Sequence, residues 1–328
     1  MNLVEQTHSN PNVSIIIPLY NKGKYVARAL NSILAQTYQN FEVFVVDDGS
    51  TDNGPEIVNS YTDSRLRLIR QTNAGPGAAR NRGIQSSQAP LLAFLDADDE
   101  WMPTFLAESV QQLQAHPDCA ISAFGRFLGA ERTSWEPGCR QFGVTEGEWR
   151  MPVSLDAHSI KRVIDFFHPG AIVCRREVLD RFGGFYTKNG CNYGEDVYLW
   201  AQIALNYKIY RNPVPLFWWH TEASEISAYS ARKIVPPWPM LTDPQPLRMD
   251  CPPAYQPALE RYLTYLAVIA AERCIRAGDR ATAERLLQDY PVAQTFLGDY
   301  LKLQLRLWLM DSPRLRQRLR QVKSLVRS

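Results

Sequence analysis

Three carboxylates stand within four residues at Asp96, Asp98 and Asp99, and Glu100 follows directly. Side chains this close repel one another, and burying them unpaired is costly. A divalent cation relieves both problems. Hard oxygen ligands suit Mg²⁺ or Mn²⁺, ions that commonly hold substrate phosphate oxygens as well. The same residues also read as an acidic helix start, with Asp98 or Asp99 as cap and Glu100 in the first turn. A second acidic run is Asp47-Asp48-Gly49-Ser50-Thr51-Asp52. One Asp after a strand is routine turn chemistry, but two acidic clusters converging on one edge are harder to explain as turns. Glu195 and Asp196 open a further apolar-periodic stretch. There they either favour the helix dipole, by only ~0.3–1 kcal/mol, or supply a general base. His220 closes the apolar run Leu216-Phe217-Trp218-Trp219. A lone His of this kind is more often structural than a metal ligand.

These groups need elements to hold them. Val13-Ser14-Ile15-Ile16-Ile17 is a β-branched run stopped by Pro18, a first buried strand. Tyr25, Val26, Ala29, Leu30, Ile33 and Leu34 recur at helical spacing, predicting a helix over 24–36. Phe41 to Val46 is a second strand, giving a right-handed, parallel βαβ unit. A helix is expected near Asp52, and Leu66 to Ile69 makes a short third strand. The loop from Asn73 to Gly83 has glycines for tight turns, with Arg80 and Arg82 placed to counter phosphate charge. Surface arginines on an ordinary loop read equally well there, and the loop is not a GxxxxGK[ST] P-loop. Leu91 to Leu95, five apolar residues, predicts a strand buried on both faces that delivers Asp96 to the sheet's carboxyl edge, where open α/β sheets bind ligands. Helices are expected over 105–113, 176–182 and from Tyr193. Strands are expected over 120–127, 169–174 and 216–220, with an irregular region over 138–149.

The remainder bounds the function. A chain of 328 residues has room for an ample core, and a net charge of +2 excludes a generally nucleic-acid-binding surface. Its six cysteines include no CxxC pair, so reduced thiols are expected rather than a disulfide framework or zinc site. The opening residues are polar, and no window approaches the ~18 apolar residues of a bilayer span. Cytoplasmic localisation is the expectation. Eight prolines between Pro236 and Pro257 read as an extended connector. Beyond it, 262–277 and 280–289 predict a helical hairpin turned at Gly278-Asp279. The end carries Arg314, Arg316, Arg318, Arg320, Lys323 and Arg327 without an acid, beside an apolar stripe of Leu315, Leu319, Val322 and Val326. That pattern suits either a solvated helix or peripheral contact with an anionic membrane. The domain expectation is a flexible tail over 1–11, an α/β domain over 12–232, a Pro-rich connector over 233–257 and a helical region over 258–328.

Taken in order, these motifs resemble the family 2 glycosyltransferases over about residues 12 to 229. The opening strand with Pro18-Leu19-Tyr20-Asn21, the Val45-Val46-Asp47-Asp48-Gly49-Ser50 turn, Asn73-Ala74-Gly75 through Arg80-Asn81, the DxD site at Asp96-Ala97-Asp98, Gly183-Gly184-Phe185 with Glu195-Asp196, and His220 before Ser224 and Ser227 follow the family's sequence of motifs. The resemblance implies a GT-A fold, a Rossmann-like and mostly parallel sheet flanked by helices. It implies an inverting enzyme using a nucleotide sugar, UDP-linked, and a glycan or lipid-linked acceptor in cell-surface polysaccharide synthesis. Asp48, with the Pro18 to Tyr20 loop and Asp47, would hold uracil and ribose. Gly75, Arg80 and Asn81 would lie at the nucleotide, and Asp96 and Ala97 at the ribose or sugar. Asp98 and His220 would ligate Mn²⁺ or Mg²⁺. Asp196, beside Glu195, would be the base, and Trp101 and Gly184 would border the acceptor. A non-catalytic nucleotide-sugar-binding protein of the same fold is the competing reading. A dinucleotide-dependent oxidoreductase lacks support, because no GxGxxG follows the first strand.

Overall fold

The computed structural model describes residues 11–223 and 238–310. The terminal basic stretch, Ser224 and Ser227, and residues 233–237 of the connector lie outside them. The chain divides into two compact units: residues 1–152 with 162–225, and residues 153–161 with 226–328.

In the first unit β1 (Val13–Leu19) is the central strand, buried along almost its whole length. It pairs in parallel with β2 (Phe41–Asp47) on one side and β4 (Leu91–Phe94) on the other, and β2 pairs in parallel with β3 (Leu66–Arg70). Side chains alternate across such a strand. Ile15 and Ile17 join Val26, Leu30 and Ile33 of α1 (Gly23–Leu34) in the core. On the opposite face Ile16 meets α3 (Pro76–Ser86), where a Cβ at Gly83 would stand 2.5 Å from it. Beyond β4 the sheet continues through β9 (Ile172–Arg175), β6 (Cys119–Leu128), β10 (Lys208–Trp219) and the short β5 (Glu100–Trp101). The last two short strands, β7 (Thr133–Ser134) and β8 (Gly147–Trp149), add to β6 and β10.

Polarity decides what reaches the functional edge. β9 runs antiparallel to both β4 and β6, while β6 and β10 are parallel. The exits of β1, β2, β4, β6 and β10 therefore share one edge with the entry of β9. Asp47, the Asp96 turn and His220 leave at that edge, and His168 enters there.

Most expected elements occur within a residue or two. The region over 138–149 is not wholly irregular: it includes most of α5 (Glu136–Gln141) and all of β8. A helix the sequence reading omitted, α6 (Ala157–Phe166), leads into the β9 entry. Three further helices, α4 (Phe105–Ala115), α7 (Arg176–Phe182) and α8 (Glu195–Asn206), match expectation.

In the second unit the described part of the connector is not extended. It forms α9 (Pro239–Thr242), α10 (Gln245–Asp250) and a 3-10 turn at Pro253–Tyr255. Pro is accepted in a helix's first turn, where its missing N–H had no partner anyway. The long α11 (Gln256–Ala277) and α12 (Arg280–Asp289) make the expected hairpin. Gly278 takes the left-handed conformation at φ 87°, and Asp279 caps α12 by accepting the Thr282 N–H at 3.1 Å. The short α13 (Val292–Thr295) and α14 (Leu297–Met310) follow.

Candidate active site

The first acidic turn is closed on itself. Asp48 is buried, and its carboxylate accepts from Gln71 Nε2, Ala74 N and Gly75 N, each at 2.8 Å. Asp47 accepts the Ser50 N–H at 2.9 Å. Asn21, at φ 50°, links the two loops: its side chain accepts the Thr51 N–H at 2.8 Å and its N–H reaches Ser50 Oγ at 3.1 Å. Asp48 thereby orders the Ala74–Gly75 loop, and Tyr20 beside it is exposed. Pro18 stays in register with Val46.

The second acidic turn is held by cations. Lys22 Nζ contacts Asp98 Oδ2 at 2.8 Å and the Ala223 carbonyl at 2.8 Å, and Arg28 donates to the Asp98 carbonyl. Burial raises the Asp98 pKa despite Lys22. Asp99 is 1 % exposed: Oδ1 accepts the His220 N–H at 2.9 Å, while Oδ2 has no hydrogen-bond partner among the described residues. Burial, together with the charges of Asp98 and Asp96, lifts its pKa well above the usual carboxylate range. At Asp96 burial works the same way but is outweighed by Arg80, and the carboxyl is held low. Ala97 is buried between these groups.

Arg80 ties two motifs together. Nη2 donates to Asp96 Oδ1 at 2.7 Å and Nη1 to Glu195 Oε1 at 2.8 Å, with the guanidinium buried. Glu195 therefore faces inward from the first turn of α8. Burial, with the Asp196 charge adding to it and Arg80 opposing, pushes Glu195 up to about 7. Asp196 is raised as well, chiefly by burial, and Asp96 adds to this. The close approach needs Gly77, where a Cβ would stand 3.0 Å from Glu195 Cγ. Asn81 and Gly184 form a clamp on the same side: Asn81 donates to the Phe185 carbonyl and accepts its N–H, both at 2.8 Å. Gly184 sits at φ 82°, with no room for a Cβ beside Asn81 Oδ1.

The structure thus gathers Asp96, Glu195 and Asp196 around Arg80. It does not gather Asp98 and His220 into one ligand cluster. His220 stands between Glu100 (Nε2, 2.8 Å) and Glu222 (Nδ1, 2.9 Å). Among the described residues the ligand atoms that converge, within 4.8 Å of one another, belong to Asp96, Asp99 and His168. The unpartnered Asp99 Oδ2 fits a cation there. His168 is kept neutral, its pKa lowered to about 3 by burial. Its Nδ1 accepts the Gly170 N–H at 3.2 Å. Trp101 is a core residue rather than a cleft residue: it is 2 % exposed, stacks on Phe105 at 4.5 Å and donates to the Gly170 carbonyl at 2.6 Å. An aromatic that does border the edge is Trp219, tilted against His168 with ring centroids 5.1 Å apart.

Sequence reading missed Lys22 and His168. Lys22 lies in an ordinary-looking loop. His168 precedes a strand whose reversed direction carries no local signal, and only a parallel-or-antiparallel assignment for β9 could have found it.

The mostly parallel α/β sheet with flanking helices, with its acidic strand exits and the Glu195-Asp196 helix start at one edge, is of the GT-A type. The solved structures agree on the fold. TarS 1-349 of S. aureus in complex with UDP superposes with a TM-score of 0.62 at 19 % identity, over 93 % of this chain and 91 % of that one. The mannosyltransferase PcManGT of Pyrobaculum calidifontis, in complex with GDP-Man and Mn²⁺, gives 0.53 at 20 % identity over 94 % and 88 %. The model of glycosyl transferase family 2 matches residues 14–183, and the chain belongs to that family. GlyG of Streptococcus pneumoniae is 40 % identical over 105 residues, 31 % of this chain and 35 % of that protein. The uncharacterized glycosyltransferase YibD of Escherichia coli is 43 % identical over 117 residues, 35 % of this chain and 34 % of that protein. The matched stretch spans about a third of the length of these curated relatives.

Proposed function

We propose that the chain is an inverting, metal-dependent glycosyltransferase that moves a sugar from a UDP-sugar to a hydroxyl of a glycan or lipid-linked acceptor, in cell-surface polysaccharide assembly. The observation that carries this reading is Arg80, which holds donor-side Asp96 and the Glu195–Asp196 pair at one sheet edge. The uridine slot lies between the Pro18–Tyr20 loop, with its exposed Tyr20, and the loop that Asp48 orders. Complexes of the S. aureus neighbour TarS with UDP and UDP-GlcNAc support a uridine donor.

Asp196 takes the acceptor hydroxyl proton as that oxygen forms a bond to the anomeric carbon. The bond from that carbon to the diphosphate breaks on the opposite face, and UDP leaves with the electron pair. One displacement inverts the anomeric centre. A divalent ion, when bound, supplies counter-charge to the departing diphosphate. Asp98 would hold it; His220, engaged by Glu100 and Glu222, is not gathered with it. Lys22, an ammonium on a flexible stem, would give up Asp98 Oδ2 to the ion. A second reading, favoured by the unpartnered Asp99 Oδ2, seats the ion on Asp96, Asp99 and His168.

No helix among the described residues is long and apolar enough to cross a membrane. We place the enzyme in the cytoplasm, with its basic terminal stretch against the inner membrane face. A thermal-shift screen of UDP- and GDP-sugars with and without Mn²⁺ tests donor and metal together. Asp196→Asn should lower turnover by ~10²–10⁴-fold while UDP affinity stays within about twofold. An equal loss of affinity removes the base role. A wild-type protein that binds donor but never releases UDP to any acceptor would be the non-catalytic binder.

A further inference from the structure

We infer that α14 is an interfacial anchor whose outward face lies in an anionic lipid surface. Leu303 and Leu307 point inward and are buried, so α14 packs by one face on its own unit. Leu297 (58 %), Leu301 (58 %), Leu305 (55 %) and Trp308 (54 %) are exposed instead. Positions i, i+4, i+8 and i+11 fall in one narrow arc of a helix, so these four make a continuous apolar ridge. Lys302 and Arg306 both lie to one side of it, Arg306 the farther. Their partners, Asp299 at 3.0 Å and Glu272, form exposed pairs of small worth.

Charge selects the occupant. Between Leu297 and Ser328 eight Lys and Arg residues face only Asp299 and Asp311. At helical spacing the sequence of residues 314–327 puts Arg and Lys on both sides of Leu315, Leu319, Val322 and Val326. A second copy, or the chain's own end folded back, would set these cations against Lys302 and Arg306 with few acids between. Four side chains also fall far short of the ~800 Å² a side typical of stable dimers. Aliphatic residues with a Trp, followed in the sequence by a run of cations, suit the headgroup boundary of a bilayer containing anionic lipid. The inference extends the membrane-side placement proposed above and needs no nucleotide sugar.

The test is sedimentation of the full chain with phosphatidylcholine vesicles, with and without phosphatidylglycerol, at physiological salt. Wild type should bind only the anionic vesicles. The double variant Leu301→Ser, Trp308→Ser should bind about tenfold or more weakly, with unchanged melting temperature and UDP affinity because both positions are exposed. Four results overturn the inference. The first is wild type left in the supernatant with both vesicle types. The second is a double variant that binds like wild type, leaving adhesion to the basic stretch alone. The third is a wild-type dimer in sedimentation equilibrium that the variant dissolves without change in vesicle binding. The fourth is a variant that melts several degrees lower with vesicle binding retained, meaning the chain's own end covers the ridge. Loss of donor binding with vesicle binding intact would instead count against the glycosyltransferase reading.

Discussion

Two strands end in paired aspartates, and the two turns have opposite fates. At Asp48 three N–H donors, two of them backbone, hold both carboxylate oxygens. At Asp96 to Asp99 the partners are mainly the side chains of Arg80 and Lys22, with a single backbone donor, the His220 N–H on Asp99, whose other oxygen has none among the described residues. The first turn is therefore architecture that shapes a loop. The second stores charge that an incoming cation or diphosphate can reorganise. The difference is one of donor type: backbone amides are fixed by the fold, while an ammonium on a flexible stem can be displaced.

The comparison can be broken at several points. The largest effect is expected from Arg80→Leu, which leaves Asp96 and Glu195 facing each other without a counter-charge. Losing one partner of a buried ionic network typically costs about 3–5 kcal/mol. Urea unfolding should show that loss together with abolished transfer; a drop below about 1 kcal/mol would mean the network is weakly held. Next, Asp98→Ala should remove the Mn²⁺-dependent part of UDP binding in calorimetry, and Asp99→Asn should leave it. The reverse pattern assigns the ion to Asp96, Asp99 and His168. Asp48→Asn should destabilise by about 1–3 kcal/mol, because an amide cannot accept three hydrogen bonds on its two former oxygens. Its residual UDP binding should keep its full dependence on Mn²⁺. Loss of that dependence would erase the contrast between the turns.

The smallest effect concerns pH. Glu195 titrates near 7 in the folded chain against an ordinary value of 4.5, so the fold favours its protonated form. That contribution is complete below the ordinary value and is lost as pH rises through about 7. Glu195→Gln should flatten the decline in unfolding free energy between about pH 5 and 7.5 by on the order of 1–2 kcal/mol. An unchanged slope would place the titration elsewhere.

Much of the site was legible because strand exits announce themselves. Apolar runs followed by Asp47-Asp48 or Asp96 mark both a buried strand and its edge, and Glu195-Asp196 marks a helix start. Partners were not legible. Nothing local shows that Arg80 bridges residues 16 and 115 positions away, or that Asn81 exchanges hydrogen bonds with the Phe185 backbone. The resemblance put Trp101 at the acceptor border; packing against Phe105 and a bond to the Gly170 carbonyl bury it. The prolines of the connector looked extended because only their φ restriction, and not their acceptance in first helical turns, was weighed.

What the sequence determined alone was the order of the main strands and helices up to β6, the parallel βαβ start and the placing of acids at strand ends. Those follow from hydrophobic period and turn chemistry, which act over a few residues. The tertiary structure alone decided strand direction at β9, hence the arrival of His168, and which carboxylates keep a free oxygen. Both depend on contacts between residues far apart in the chain, where burial and the nearest donor, not residue type, set the charge state.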